Sequence, residues 1–131
     1  MNPQLQRYLT RLESIIRSRR EIEIETLEIV GQSYKFGQLT LFRAKLRFFD
    51  HSSLQVYEAL TVRGMKVAKD RYSYQYSDTE GNTLFRYDNV PHHPNISTYP
   101  DHKHTPTGIE PSRAPDLTDV LWEIDQRLYG K

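Results

Sequence analysis

Leu54-Gln55-Val56-Tyr57-Glu58-Ala59-Leu60-Thr61-Val62 alternates between two kinds of side chain, which is typical of a half-buried β-strand. The even-numbered positions are apolar except for Glu58, and the odd-numbered positions are mostly polar. Successive side chains of a strand point to opposite faces of the sheet. This run therefore predicts a sheet with one buried face, on which a single carboxylate lies. Gly64 ends the strand.

Similar runs on both sides of this strand predict about five strands in all. A slip in the alternation at Thr26-Leu27 indicates a β-bulge in the first of them. The connections are short, and short connections favour antiparallel neighbours because parallel pairs need long crossovers. The predicted strands cover residues 21–29, 39–48, 54–62, 67–76 and 83–87, with turns at 31–37, 50–53 and 78–82.

Two amphipathic helices flank the predicted sheet. Residues 2–20 have Asn2 as the expected N-cap and Pro3 at the first helical position. The second helix covers residues 116–128, starts at Asp116 or Ser112, and is followed by Gly130. The fold class is therefore α+β: an antiparallel meander with the N-terminal and C-terminal helices packed on one face. Residues 1–131 form one domain, in which 105–115 are interpreted as a linker to the last helix.

Composition excludes several classes of protein. The 131 residues include no cysteine, so disulfides and thiolate metal sites are ruled out. The formal net charge of +1 means that any nucleic-acid-binding surface must be local. No apolar run reaches the roughly 20 residues of a membrane span, and the N-terminus lacks a secretory signal. We therefore expect a soluble cytoplasmic protein that does not enter membranes.

Four of the five histidines lie in two short runs after the last predicted strand, Arg86-Tyr87-Asp88-Asn89-Val90-Pro91-His92-His93-Pro94 and Asp101-His102-Lys103-His104. The prolines at positions 91, 94, 100 and 106 exclude helix or central strand, so a rigid His/Pro-rich loop is predicted. Binding and catalytic groups are often held on such loops. The plainer alternative is a surface loop with solvated histidines.

Histidine titrates near neutral pH, so several imidazoles can divide the roles of acid and base in metal-free phosphodiester cleavage. Arg86 and Lys103 would stabilise the phosphate, Asp88 would orient an imidazole, and Glu58 would anchor Arg86. The alternative is a divalent metal held by His92, His93, His102 and His104. The candidate catalytic residues are His92, His93, His102, His104, Asp88 and Glu58, and the candidate substrate-binding residues are Arg86, Lys103, Asn89 and Tyr87.

Two further features have competing interpretations. Glu58 on an apolar face must be paired or raised in pKa, and Arg43, Arg71 or Arg86 are the partners expected for it. Tyr72, Tyr74 and Tyr76 share one face of the fourth strand, where they either stack on RNA bases or pack under a helix.

Several of these motifs together resemble the TumE-type family of prokaryotic toxin–antitoxin systems. They are residues 46–54, the Glu58 strand, the tyrosine strand at 72–76, residues 85–93 and the His102-Lys103-His104 run, and the resemblance covers roughly residues 40–128. The family commonly has glycine after the strand-ending aspartate, where this chain has His51.

The resemblance implies a growth-inhibiting toxin with a cognate antitoxin as partner. Combined with the histidine chemistry, it predicts the toxin of a type II pair that cleaves RNA without a metal. The alternatives are a metal-dependent nuclease, or a non-catalytic module that binds nucleic acid or protein. The oligomeric state is open, with a homodimer among the options.

Overall fold

In the computed structural model, which describes residues 1–35 and 37–130, a seven-stranded antiparallel sheet follows one helix and precedes another. The strands are ordered in the sheet as they are in the chain. This confirms the α+β meander, with seven strands where about five were predicted. The elements are α1 (Pro3–Arg17), β1 (Glu23–Tyr34), β2 (Gly37–Arg47), β3 (Ser53–Arg63), β4 (Lys66–Ser77), β5 (Thr83–Asp88), β6 (His102–Thr105), β7 (Gly108–Pro111) and α2 (Leu117–Tyr129).

Both helices begin where the sequence indicates. The Asn2 side chain accepts hydrogen bonds from the backbone N–H groups of Gln4 and Leu5, so Asn2 is the N-cap of α1. Asp116 and Asp119 form a reciprocal capping box at the start of α2, and Gly130 follows its end.

The helices cover one face of the sheet, called here the helix face. Alternate residues of β2 to β5 point to it and meet the apolar stripes of α1 and α2. The fully buried members of this core include Phe42, Leu46, Leu54, Leu60, Tyr74, Phe85, Leu12, Ile16 and Ile124. The opposite face, called the open face, presents polar side chains such as the exposed Arg43 and Gln55.

The structure corrects two boundaries at the sheet edges. β1 continues through Gly31 to Tyr34, because residues 29–34 pair in register with residues 37–42 of β2, so residues 31–34 belong to the strand and not to the turn predicted for 31–37. The linker predicted for 105–115 instead contains β7, which pairs with β6 as a hairpin. The bulge is confirmed, with the register shifting between Ile24 and Thr26. Within the described residues, no helix has the length and apolar character to cross a membrane.

Candidate functional site

The histidine run at 102–104 is a strand rather than part of a loop. β6 is short but pairs on both sides, with Asp88 opposite His102 and Arg86 opposite His104 on β5, and with β7 beyond. Residues 102–105 can form a strand because they pair with both β5 and β7, and because Pro100 and Pro106 lie outside these four residues. Because side chains alternate along a strand, His102 and His104 project from the open face together with Arg86 and Asp88.

Three imidazoles meet on this face and define the histidine cluster: His93, His102 and His104. One nitrogen from each lies within 4.8 Å of the others, so together they could hold a metal ion. The Nε2 atoms of His102 and His104 are 3.0 Å apart. His93 comes from the proline-rich loop, and its ring centroid lies 5.0 Å from that of His102. His92 is exposed and is not one of the three.

His102 is held in a single orientation. Its Nδ1 lies 2.8 Å from the carbonyl oxygen of Pro100, which can only accept, so Nδ1 carries a hydrogen. Its Nε2 therefore faces the cluster. The side chain is only 2% exposed, so His102 can hold another group but cannot itself reach a polymer substrate.

Asp88 is the buried carboxylate beneath the cluster. Its two oxygens lie 3.0 Å from Nε2 of His102 and 3.3 Å from Nε2 of His104. The carboxylate also accepts from the Val90 N–H at 3.0 Å and from Nε of Arg86 at 2.9 Å. Burial alone would raise the pKa of Asp88, but these donors outweigh it and lower the pKa, so Asp88 is charged.

The Nε2 atoms of His102 and His104 and the Asp88 carboxylate lie at about hydrogen-bond distance from one another. With the hydrogen of neutral His102 on Nδ1, its Nε2 and the carboxylate are acceptors, and neutral His104 can donate to them when its hydrogen is on Nε2. Burial lowers the pKa of His104 and the positive charge of Arg86 lowers it further, so the net shift is downward although the Asp88 carboxylate opposes it. The neutral imidazole of His104 is thereby favoured, and neutral imidazole is the form that binds metals.

Arg86 is positioned for an anion on the open face. Its Nε donates to Asp88 and its Nη1 donates to Gln75 Oε1 at 2.7 Å. Among the described residues no partner holds Nη2. The guanidinium is thus fixed through two of its nitrogens and keeps Nη2 as a third donor, which suits recognition of a phosphate.

Lys103 and Tyr87 do not join the cluster, although both were candidate substrate-binding residues. They pair across β5 and β6 on the helix face, where both bind Glu123 of α2, Lys103 at 2.8 Å and Tyr87 at 2.5 Å. Burial opposes the charge on Lys103, but the bonds to Glu123 and Tyr87 outweigh it and raise its pKa. Both side chains attach the sheet to α2, on the face opposite the histidine cluster.

Glu58 is also on the helix face, and the expected arginine partners are wrong. The side chain is fully buried and accepts hydrogen bonds of 2.5 Å from the hydroxyls of Tyr8 and Tyr74. Arg86 projects from the other face, so Glu58 does not anchor it. Burial, followed by the charge of Glu58, raises the pKa of Tyr74 well above its usual value. Glu58 therefore ties α1 to β3 and β4.

Asn89 supports the backbone at the start of the loop. Its side chain accepts from the Tyr72 N–H at 3.1 Å and donates to the Asp70 carbonyl at 2.9 Å.

Tyr72, Tyr74 and Tyr76 are buried under the helices, at most 3% exposed. The packing interpretation of these tyrosines is confirmed, and the base-stacking interpretation is wrong.

Sequence reasoning missed two supporting groups, the Pro100 carbonyl and Gln75. Neither has a local signal, because each is brought in by tertiary register. The shared face of His102 and His104 did have a signal, since a His-x-His run on a strand places both rings on one side. Reading the run as a loop concealed it.

Comparison with known proteins gives one match. The family model described as "Toxin TumE" matches residues 12–128, which is nearly the whole chain. No curated protein and no solved structure matches.

Proposed function

This chain belongs to the TumE toxin family, and we propose that it stops growth by cleaving RNA at the histidine cluster. The proposal goes beyond the family membership, which supports the toxin role alone. One observation carries it: three imidazoles, a buried carboxylate and a two-point-anchored arginine converge on a sheet face that neither helix covers.

The geometry favours a metal-assisted version of this reaction over the metal-free one expected from sequence. His102 and His104 are too close for a phosphate to lie between them, with Nε2 atoms 3.0 Å apart. His102 is also too buried to act as acid or base on RNA. Both features suit ligands of one ion, and the Pro100 carbonyl fixes the His102 tautomer as the outer partner of a metal-bound imidazole usually does.

The residues fit a nitrogen-preferring divalent ion such as Zn²⁺, with His93, His102 and His104 as ligands. A divalent ion held by these residues would supply polarisation of the phosphate and a lowered pKa for a bound water molecule. Asp88, with an oxygen 3.0 Å from Nε2 of His102, would place a negative charge beside the ion and balance its positive charge. Arg86 binds a non-bridging phosphate oxygen through Nη2 and stabilises the charge that develops during cleavage.

The second candidate is metal-free acid–base cleavage, and the contact of Asp88 with both His102 and His104 favours it. In this version a proton is shared among His102, His104 and Asp88. His93 and His104 are the partly exposed imidazoles that divide the roles of base and acid. Such a reaction needs the ribose 2′-hydroxyl and leaves 2′,3′-cyclic phosphate ends.

The decisive experiment measures cleavage of a labelled RNA by purified protein before and after EDTA treatment, with metal content determined by mass spectrometry. We expect about one bound divalent ion per chain, loss of cleavage with EDTA and recovery with added Zn²⁺. Cleavage that resists EDTA and fails on a substrate with a single 2′-deoxy position at the cut supports the metal-free candidate instead. RNA that stays intact at high protein concentration, while cells still stop growing, rejects the nuclease.

The cellular part of the proposal is that a cognate antitoxin protein neutralises this toxin in the cytoplasm, as in type II pairs. Induction of the wild type should stop growth, and co-expression of the neighbouring gene should restore it. His104→Ala tests the site in the same assay. Equal toxicity of this variant and the wild type would contradict the proposed site.

A further inference from the structure

We propose that the open face of β2 to β6 is a binding path for single-stranded RNA that leads into the histidine cluster. This inference rests on the proposed function and specifies the form of its substrate. The path is defined by two cross-strand rows, Lys45–Gln55–Gln75–Arg86–His104 and Arg43–Tyr57–Ser73–Asp88–His102.

The two rows run perpendicular to the strands and end at the site. Adjacent strands lie about 4.8 Å apart, so the rows extend roughly 19 Å from β2 to β6. That length accommodates a few nucleotides of an extended strand. Lys45, Gln55, Tyr57 and Ser73 line a shallow groove of about 280 Å³ at the β2 end, together with Thr26 and Glu28 of β1. The groove and the histidine cluster therefore belong to one continuous surface.

The charge along the path suits a polyanion. Arg43, Lys45 and Arg86 are the charged side chains of the two rows apart from Asp88, which is buried and bonded to Arg86. Beyond β2 the charge reverses. Glu28 lies opposite Arg43 on β1, and Glu25 binds Arg47 at 2.9 Å and Lys45 at 3.7 Å. The path thus has an acidic boundary on one side and the site on the other.

Tyr57 provides an accessible aromatic ring on this face. It is half-buried, and the Arg43 guanidinium carbon lies 5.6 Å from its ring centroid. An aromatic ring beside a guanidinium offers base stacking and phosphate contact at the same point. Stacking requires unpaired bases, so the path favours single strands over duplexes.

The neutral side chains add a preference for RNA. Gln55 and Ser73 present an amide and a hydroxyl group near the cations, whereas the Gln75 amide is bonded to Arg86 and Thr83. These groups both donate and accept hydrogen bonds, as the ribose 2′-hydroxyl does. A deoxyribose strand cannot make the same bonds, so it should bind more weakly.

The test is fluorescence anisotropy with a labelled 12-nucleotide oligouridine, using full-length His104→Ala protein so that the probe stays intact. Tyr57→Ala should weaken binding by about 5- to 150-fold, the range for loss of one stacked base. Arg43→Gln should weaken binding and reduce the slope of log affinity against log salt by about 0.7, as expected for one lost phosphate contact. Arg7→Gln, on the exposed surface of α1, is the matched charge control. It should leave the affinity and the salt slope unchanged.

Two further probes define the ligand. The corresponding oligodeoxyuridine should bind about 2- to 12-fold more weakly, the range for one lost hydrogen bond, and a duplex RNA should bind more weakly still. Equal binding of the deoxy strand overturns the RNA assignment. Unchanged binding by the Arg43 and Tyr57 variants overturns the path, as does an effect of these variants on antitoxin binding alone. Cleavage by otherwise wild-type protein is measured separately: binding without cleavage rejects the proposed function but supports the path.

Discussion

Lys103 and His104 are neighbours in the chain but lie on opposite faces of the sheet. The residues predicted to form one site are therefore divided between two faces. Arg86, Asp88, His102 and His104 remain together on the open face. Lys103 belongs to the attachment of α2 through Glu123. The two cations predicted to bind substrate therefore lie on opposite faces: Arg86 lies beside the histidine cluster, and Lys103 binds α2.

Replacing each cation with glutamine should separate these uses. Arg86→Gln should reduce RNA cleavage by about 100-fold or more, the effect of losing one donor to transition-state charge. Lys103→Gln should leave cleavage within about threefold but lower the free energy of unfolding by about 1–2 kcal/mol, because Glu123 loses a partly buried partner. Cleavage assays and urea unfolding check both. A Lys103 variant that folds normally but does not cleave would contradict this assignment.

His51 is in a left-handed backbone conformation, with φ of 70°. A side chain at such a position costs about 1–2 kcal/mol, whereas glycine adopts it freely but loses about 0.5–1 kcal/mol of chain entropy. Glycine is also the residue that the TumE resemblance leads one to expect here. His51→Gly should therefore stabilise the protein slightly, by up to about 1 kcal/mol, and His51→Val should destabilise it. Thermal unfolding of both variants tests the sign, and a less stable glycine variant would contradict the argument.

Among the elements, α2 gives the clearest pH dependence. Asp116 caps it, accepting from the Asp119 N–H at 3.0 Å and from the Thr118 hydroxyl. Burial would raise the pKa of Asp116, but these bonds outweigh it and lower the pKa. Because the folded pKa is the lower one, the stabilisation is complete above an unfolded pKa of about 3.9 and is lost as the pH falls through the folded pKa.

Asp116→Ala should cost about 1 kcal/mol at pH 7, the usual value of a cap. The difference from wild type should shrink between about pH 4 and pH 2. Asp116→Asn keeps an accepting oxygen without titrating, so it serves as the control. Urea unfolding followed over this pH range is the measurement. A penalty for alanine that does not change with pH would contradict the charged cap.

The packing of α2 also separates stability from activity. Leu121 is 2% exposed in the core, so Leu121→Ala should cost about 2–5 kcal/mol through the cavity it creates. His104 is partly exposed on the other side of the sheet, so His104→Ala should cost about 0.5 kcal/mol or less while abolishing cleavage. Melting curves that fall equally for both variants would mean that the histidine is structural.

For the whole molecule, the proposed metal is predicted to couple the loop to the sheet. Its ligands come from β6 and from the segment between β5 and β6, so binding should stabilise only the folded chain. Free Zn²⁺ at 100 times its dissociation constant should add about 2.7 kcal/mol, which raises the melting temperature of a domain this size by roughly 10 °C. Differential scanning fluorimetry with and without Zn²⁺ measures the shift. His102→Ala should remove it, whereas His51→Ala, away from the cluster, should keep it.

The sequence by itself determined the fold class, the candidate helix caps and which alternate residues of each predicted strand are apolar. These features follow from local periodicity and capping chemistry, which depend on residues close together in the chain. Examples are the caps Asn2 and Asp116 and the alternating run at 54–62. It also located the three histidines of the cluster, because imidazoles are scarce and their grouping is visible, although it included His92, which lies outside the cluster.

Only the tertiary structure decided which candidates share a site. Whether residues 102–105 form a strand depends on two partners distant in the chain, and that pairing sends His102 and His104 to one face and Lys103 to the other. Glu58 has apolar neighbours in sequence, but its two tyrosine partners come from α1 and β4. The sequence of a strand shows which side chains share a face, because they alternate. Long-range pairing decides which face of the sheet they occupy, since a one-residue change in pairing would move every side chain of the strand to the other face.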